Sequence, residues 1–268
     1  MHVSQIASPA EQPQTKAYAG FELVVLFIVL AMFSEGLLPR LLSAEETAEG
    51  SPVLRLMWLP VYALTLGAIF WQWRSMLHTV LRMPFMMALL GLASMSFLWS
   101  IDPALSQRRG IAIVMSTLAG LYIGTRYDWR TLLRMLGLVW ITVAVAGAIT
   151  ALVTPGFGVM HEIHVGAWKG LYYEKNQLGG HMARACFLCA FLFLMDKPMQ
   201  KLWGFGVAIA LIMVLASTSK TSLLGVLLGF GILGAALVMK RGKVTGLSLT
   251  WLGTLIAGSI VCTLVFAP

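Results

Sequence analysis

Long apolar runs alternate with short polar connectors along this chain, and the runs have the length of membrane spans. Crossing a hydrocarbon core takes about 20 predominantly apolar residues. That window predicts nine spans, near 21–39, 54–73, 84–100, 110–125, 135–154, 178–195, 201–217, 221–239 and 245–266. Prolines mark two of the ends: Pro84 opens the third run and Pro155 closes the fifth. No connector is long enough for a soluble domain, and no repeat-length period is present. The expected fold is all-α, a polytopic transmembrane helical bundle over residues 20–268 behind a disordered cytoplasmic tail, residues 1–19. The first run is too long for the core of a cleavable signal peptide.

Composition agrees with this pattern. Hydrophobic residues make up 59% of the chain and charged residues 11%, against roughly 25% charged in soluble domains. Mean hydropathy is +0.83. The net charge of +8 is spread between apolar runs and forms no stripe, so no nucleic-acid partner is expected. In a membrane protein such an excess reports topology and contact with membrane lipid. Cys186, Cys189 and Cys262 all fall inside apolar runs and read as small buried hydrophobes, without a disulfide or metal pattern.

Charge distribution predicts orientation. With the N-terminus cytoplasmic, the inner segments hold Lys16, Arg74, Arg82, Arg126, Arg130, Arg134, Lys197, Lys201, Lys240, Arg241 and Lys243. The outer segments hold Arg40, Arg55, Arg108, Arg109, Lys169, Lys175 and Lys220, and most of the acids. The outer cations persist against the topological bias, which asks for another cause, such as an anionic ligand on that face. Snorkelling to the interface is the plainer alternative for any one of them.

Three outer connectors carry the candidate chemistry. The first contains Trp99-Ser100-Ile101-Asp102-Pro103, then Ser106 as the expected N-cap of the fourth helix, then Arg108-Arg109 in its first turn. Arginines there oppose the helix dipole unless an anion joins them; pairing of one with Asp102 is the other reading. The second, 155–177, holds Gly156, Gly158, Gly166 and Gly170 with His161, Glu162 and His164, and closes on Trp168-Lys169-Gly170 and Lys175-Asn176. No further ligands accompany the two histidines, so no metal site is expected. His181 and Arg184 follow inside the sixth run, with Glu35 as their expected ion-pair partner. The third, Ser217-Thr218-Ser219-Lys220-Thr221-Ser222, reads either as phosphate contacts or as hydroxyls satisfying helix ends. Together they suggest a cationic pocket for an amphiphile with a phosphate or pyrophosphate head and a lipid tail.

At these residues the chain resembles the O-antigen ligase/polymerase family, with its exopolysaccharide polymerases. The match runs from Leu98-Trp99-Ser100-Ile101-Asp102-Pro103 with Ser106 and Arg108-Arg109, through Trp168-Lys169-Gly170 and Lys175-Asn176-x-Leu178-Gly179, to Ser217-x-Ser219-Lys220. It covers about residues 85–240. The resemblance implies a multi-pass protein of the bacterial inner membrane with its active face periplasmic. It implies metal-independent glycosyl transfer without a cofactor, from an undecaprenyl-pyrophosphate-linked glycan to a glycan or lipid acceptor, alongside other polysaccharide-export components. Arg108, Arg109, Lys175, Asn176 and Lys220 would hold the pyrophosphate, with Trp168, Lys169 and Ser219 as further substrate contacts. Fixed cations would stabilise a leaving group that gains charge in the transition state.

Departures from the family pattern qualify this expectation. Lys220 stands where the family has arginine, which weakens bidentate phosphate contact. Glu174 stands where a histidine is common. The family continues into a large periplasmic loop with a catalytic histidine, beyond the point matching Pro268. The acceptor base is therefore expected to be missing: either the chain is an N-terminal part of a longer protein or it lacks turnover, with Glu174, His161 or His164 as the candidate substitutes. A non-enzymatic transporter or binding subunit for a lipid-linked or anionic solute is the alternative. A transporter would place ionisable groups at the midplane and show an internal repeat, whereas here charges gather at one interface.

Overall fold

The computed structural model describes residues 19–36 and 52–240, with positions 251, 253, 255 and 258 beyond them. Otherwise the expected tail, the connector 37–51 and the ninth run lie outside the described residues. Among those described, regular structure is helical, with one isolated antiparallel bridge, Val159 to Trp168. The helices are α1 (Gly20–Phe33), α2 (Pro52–Trp71), α3 (Trp73–Leu81), α4 (Pro84–Met95), α5 (Pro103–Arg126), α6 (Trp129–Val153), α7 (Lys175–Met195), α8 (Gln200–Ala216) and α9 (Lys220–Lys240). Three of them are long and apolar enough to cross a membrane: α6, α7, and α8 with the turn that precedes it. The bent pair of α2 and α3 makes a fourth if counted as one span.

Local chemistry sets the helix ends, and it corrects the sequence reading in three places. The connector expected at 74–83 is helical. At Gln72 the backbone leaves helical geometry (φ −112°, ψ 30°), and α3 departs from α2 at 92°. Asp102, not Ser106, caps α5: its carboxylate accepts the Leu105 N–H at 2.9 Å, and Pro103 fills the first turn. Proline suits that position because its φ is preset and it has no N–H to leave unbonded. Ser106 instead donates its hydroxyl to Ser100 Oγ at 2.6 Å. Finally, α7 begins at Lys175, so Lys175 and Asn176 are the first residues of a helix rather than the end of a loop.

The described chain forms two compact units. One joins the start of α1, through Val24, to Ala68–Leu132. Here the Arg126 guanidinium at the end of α5 meets Glu22 in two contacts, 2.8 and 3.0 Å. Arg126 sits at the negative end of its helix dipole, which favours it. Burial, with the Glu22 charge adding, pushes the neighbouring Tyr127 phenol above its usual range. In the same unit Met76 of α3 is buried and accepts from Thr125 at 3.9 Å.

The other unit contains Val25–Gly67 and the chain from Leu133. Its centre is α7, which packs on α8 and α9. Leu178, Met182, Ala185 and Cys186 of α7 meet Val139 and Val143 of α6, Met213 of α8 and Val226 of α9. Glycines let the helices approach: a Cβ at Gly137 would lie 2.7 Å from the Trp203 ring, and one at Gly206 2.7 Å from Cys189 Sγ. Cys186 and Cys189 are free and buried, as the sequence suggested. At one end of this unit Asp196, 2% exposed, accepts Nε and Nη2 of Arg134 at 2.7 and 2.5 Å and the Trp203 indole N–H at 3.0 Å. That carboxylate ties the start of α6, the end of α7 and the start of α8 together.

Candidate functional site

The opposite end of the second unit brings the amino termini of α7 and α9 side by side. Local sequence explains how. The chain leaves α6 at Thr154, makes one helical turn at Pro155–Gly158, and returns to α7 through a loop held by its own backbone. Met160 N–H bonds Ala167 O at 2.8 Å, Lys169 and Gly170 N–H both reach Gly158 O at 2.8 Å, and Trp168 N–H bonds Ala216 O at the end of α8 at 2.9 Å. Gly170 turns with φ +54°, where a Cβ would also stand 3.2 Å from Gly147 Cα; both facts favour glycine.

Between α8 and α9 the turn is tight and hydroxyl-rich. Ser217 is fully buried and its Oγ donates to Val214 O at 2.7 Å. Thr218 takes φ +51°, a left-handed conformation costly for a β-branched residue. Ser219, 3% exposed, is the hub: its Oγ lies 3.1 Å from Asn176 Oδ1, 2.9 Å from Ser222 Oγ and 3.3 Å from Thr221 Oγ1. Lys175 Nζ donates to Thr218 Oγ1 at 3.5 Å. Gly179 makes the approach possible, since a Cβ there would fall 2.6 Å from Ser222 Oγ and 2.9 Å from Ser217 Oγ.

The electrostatic result is unusual. Two helices point their positive dipole ends to one place, and each opens with a lysine, Lys175 and Lys220. Each such lysine opposes its dipole by about 0.3–1 kcal/mol. An anion at the paired ends reverses that sign, because backbone N–H groups, dipoles and ammonium groups then act together. Lys175 is half-buried, whereas Asn176, Thr218, Lys220 and Thr221 are exposed. Of the two readings of the hydroxyls, helix-end satisfaction holds for Ser217, whose Oγ donates to Val214 O and accepts the Ser219 N–H. Ser219 Oγ bonds only side chains, and Thr218 and Thr221 are exposed.

The remaining candidates are distributed as follows. Because α5 opens at Pro103, Arg108 and Arg109 fall in its second turn rather than its first, past the reach of the helix dipole. Both lie exposed in the first unit, with Arg108 Nε donating to Ala104 O at 3.2 Å. Trp168 is half-buried against the core of the second unit, and Lys169 is half-buried beside it. Of the proposed bases, Glu174 is exposed at the N-cap of α7, directly before Lys175. His161 is exposed with Nε2 3.1 Å from Pro155 O, and His164 is exposed in the same loop.

The expected ion pair of Glu35 with His181 or Arg184 does not form. Glu35 is exposed at φ 58°, and the Arg184 guanidinium donates to Gly180 O at 3.2 Å. His181 instead stacks on Tyr172 at 4.7 Å with an interplanar angle of 11°, and tilts against Trp140 at 5.3 Å. Its Nδ1 is buried and has no hydrogen-bond partner. Tyr172 donates to Ser34 O at 3.3 Å. Burial pushes its phenol well above the usual range, with the Glu35 charge adding and Arg184 opposing. Sequence reasoning missed this aromatic stack. A histidine inside an apolar run, nine residues after Tyr172, was the available signal.

An open apolar groove lies toward the Asp196 end of the second unit, lined by Ala190, Phe193, Val207 and Phe230 among others. Among the described residues no group of three His, Cys, Asp or Glu is placed to hold a metal ion. The chain matches no protein-family model, no curated protein and no solved structure.

Proposed function

We propose that the chain binds the pyrophosphate head of an undecaprenyl-linked glycan and serves glycan transfer to a glycan or lipid acceptor. The observation that carries this reading is the pairing of the α7 and α9 amino termini, each headed by a lysine. Lys175 and Lys220 meet the phosphates, Asn176 and the outward hydroxyls orient them, and the apolar groove suits the isoprenoid tail. In the reaction, the bond between the anomeric carbon and the pyrophosphate oxygen breaks while an acceptor hydroxyl oxygen attacks from the opposite face. The electron pair leaves on undecaprenyl pyrophosphate, and the acceptor proton passes to a base. Cations positioned at the leaving oxygen act most strongly in the transition state. Glu174 stands nearest in sequence to the lysines and is the base proposed for test. Arg108 and Arg109, in the first unit, are proposed for a phosphate role from the motif resemblance alone.

Nine spans, a cytoplasmic N-terminus and a periplasmic site in the bacterial inner membrane complete the proposal. The distribution of Lys and Arg supports them. The direct test is the amount and chain length of surface polysaccharide in cells carrying Lys175→Ala with Lys220→Ala. Loss of polymer by tenfold or more, with normal membrane insertion, is expected. Unchanged polymer would sink the reading, and so would purified protein that moves donor between leaflets without any transfer. Arg108→Ala with Arg109→Ala is scored the same way and separately.

A further inference from the structure

The helix α3 and the elbow before it form a surface that glycan transfer does not use. The 20 residues of α2 rise about 30 Å at 1.5 Å each, already the thickness of a hydrocarbon core. The 92° turn at Gln72 then sets α3 across the direction of α2. Around α3 the residues sort into three stripes at helical spacing. Met76 is buried and faces α5 through Thr125. Trp73, Leu77 and Leu81, one turn apart, are 56%, 49% and 70% exposed. Arg74, His78 and Arg82 run alongside them and are also exposed. At the elbow Phe70 and Trp71 are exposed too, and they line a shallow hollow with Trp73.

We propose that α3 is an in-plane anchor that lies in the membrane interface and binds anionic phospholipid headgroups. Apolar side chains left open beside a cationic stripe match the two layers of a bilayer edge: acyl chains below, phosphates above. Between Gln72 and Pro84 there is no acidic residue to neutralise Arg74 and Arg82. The Arg74 guanidinium lies 5.6 Å from the Trp73 ring, so the indole and the cation sit at one level, as headgroup-depth anchors do. A re-entrant path for α3 would draw three ionisable groups on successive turns into hydrocarbon, which is strongly unfavourable. The inference needs α2 to cross the membrane and is independent of glycan transfer.

The test uses the full chain with Cys262→Ser, reconstituted in nanodiscs, carrying a nitroxide at Leu77→Cys or at Leu81→Cys. Cys186 and Cys189 are buried and escape labelling. An in-plane helix places both labels at one depth, about 5–10 Å below the headgroups. A helix continuing along the normal separates them by about 6 Å, four residues at 1.5 Å, and that result overturns the proposal. Labels open to water-soluble relaxers also overturn it, because the face would then serve a soluble partner or none. The charge is read by thermal unfolding in nanodiscs with and without phosphatidylglycerol. Phosphatidylglycerol should raise the melting temperature, and Arg74→Gln with Arg82→Gln should remove at least half of that rise. Arg74→Lys with Arg82→Lys should keep it. Equal rises in wild type and the glutamine variant contradict the headgroup contact.

Discussion

Asp196 shows what a single buried charge does in this protein. It is 2% exposed, yet Arg134 and Trp203 supply three donors to its two oxygens. Removing the carboxylate takes away three hydrogen bonds, among them the one that satisfies the buried Trp203 indole N–H, at a cost of about 1–3 kcal/mol. Asp196→Ala should therefore lower the detergent melting temperature sharply, whereas the exposed Glu162→Ala should not. Lys220 is the informative residue at the other end. Lys220→Arg should retain polymer production, since guanidinium binds phosphate at least as well. Lys220→Gln should reduce it. Equal outcomes for the two would mean that the charge at this position is irrelevant.

At the scale of elements, α7 is built around two adjacent glycines with opposite demands. A Cβ at Gly179 would meet Ser222 and Ser217, while one at Gly180 has nothing within 4 Å. Gly180→Ala should stabilise by up to about 1 kcal/mol through helix propensity. Gly179→Ala should destabilise by about 1–3 kcal/mol and spread the two amino termini. Unfolding of the matched pair checks both signs at once.

Helix ends were legible in sequence where proline set them, as at Pro84 and Pro155. The cap of α5 was misread because Asp102-Pro103 and Ser106 both carry N-cap chemistry, and only the geometry of the turn decides between them. Hydropathy could not separate α3 from a loop: nine residues that include Arg74 and His78, capped by Arg82, fall below any span window, although their spacing is helical. The lysines of the candidate site were legible as cations beside helix starts. The Asn176–Ser219 bond that joins those starts was not, because its partners lie 43 residues apart. The Arg134–Asp196 pair, 62 residues apart, was hidden for the same reason.

Across the whole molecule, the second unit divides its chemistry between two ends. A neutralised ion pair clamps α6, α7 and α8 at one end, and paired dipoles with two lysines stand at the other. The first end holds its own buried counter-charge; at the second, an added anion would act together with both dipoles and both ammonium groups. The central claim is that this second end recognises a pyrophosphate on a lipid. The most direct measurement is binding of undecaprenyl pyrophosphate against undecaprenol by the full chain in nanodiscs. Two charge-assisted contacts at about 1.5 kcal/mol or more each imply a preference of roughly a hundredfold for the pyrophosphate in wild type. Lys175→Ala with Lys220→Ala should bring the two ligands close to parity. Equal binding of both by wild type, or a preference that survives the double substitution, would contradict the claim.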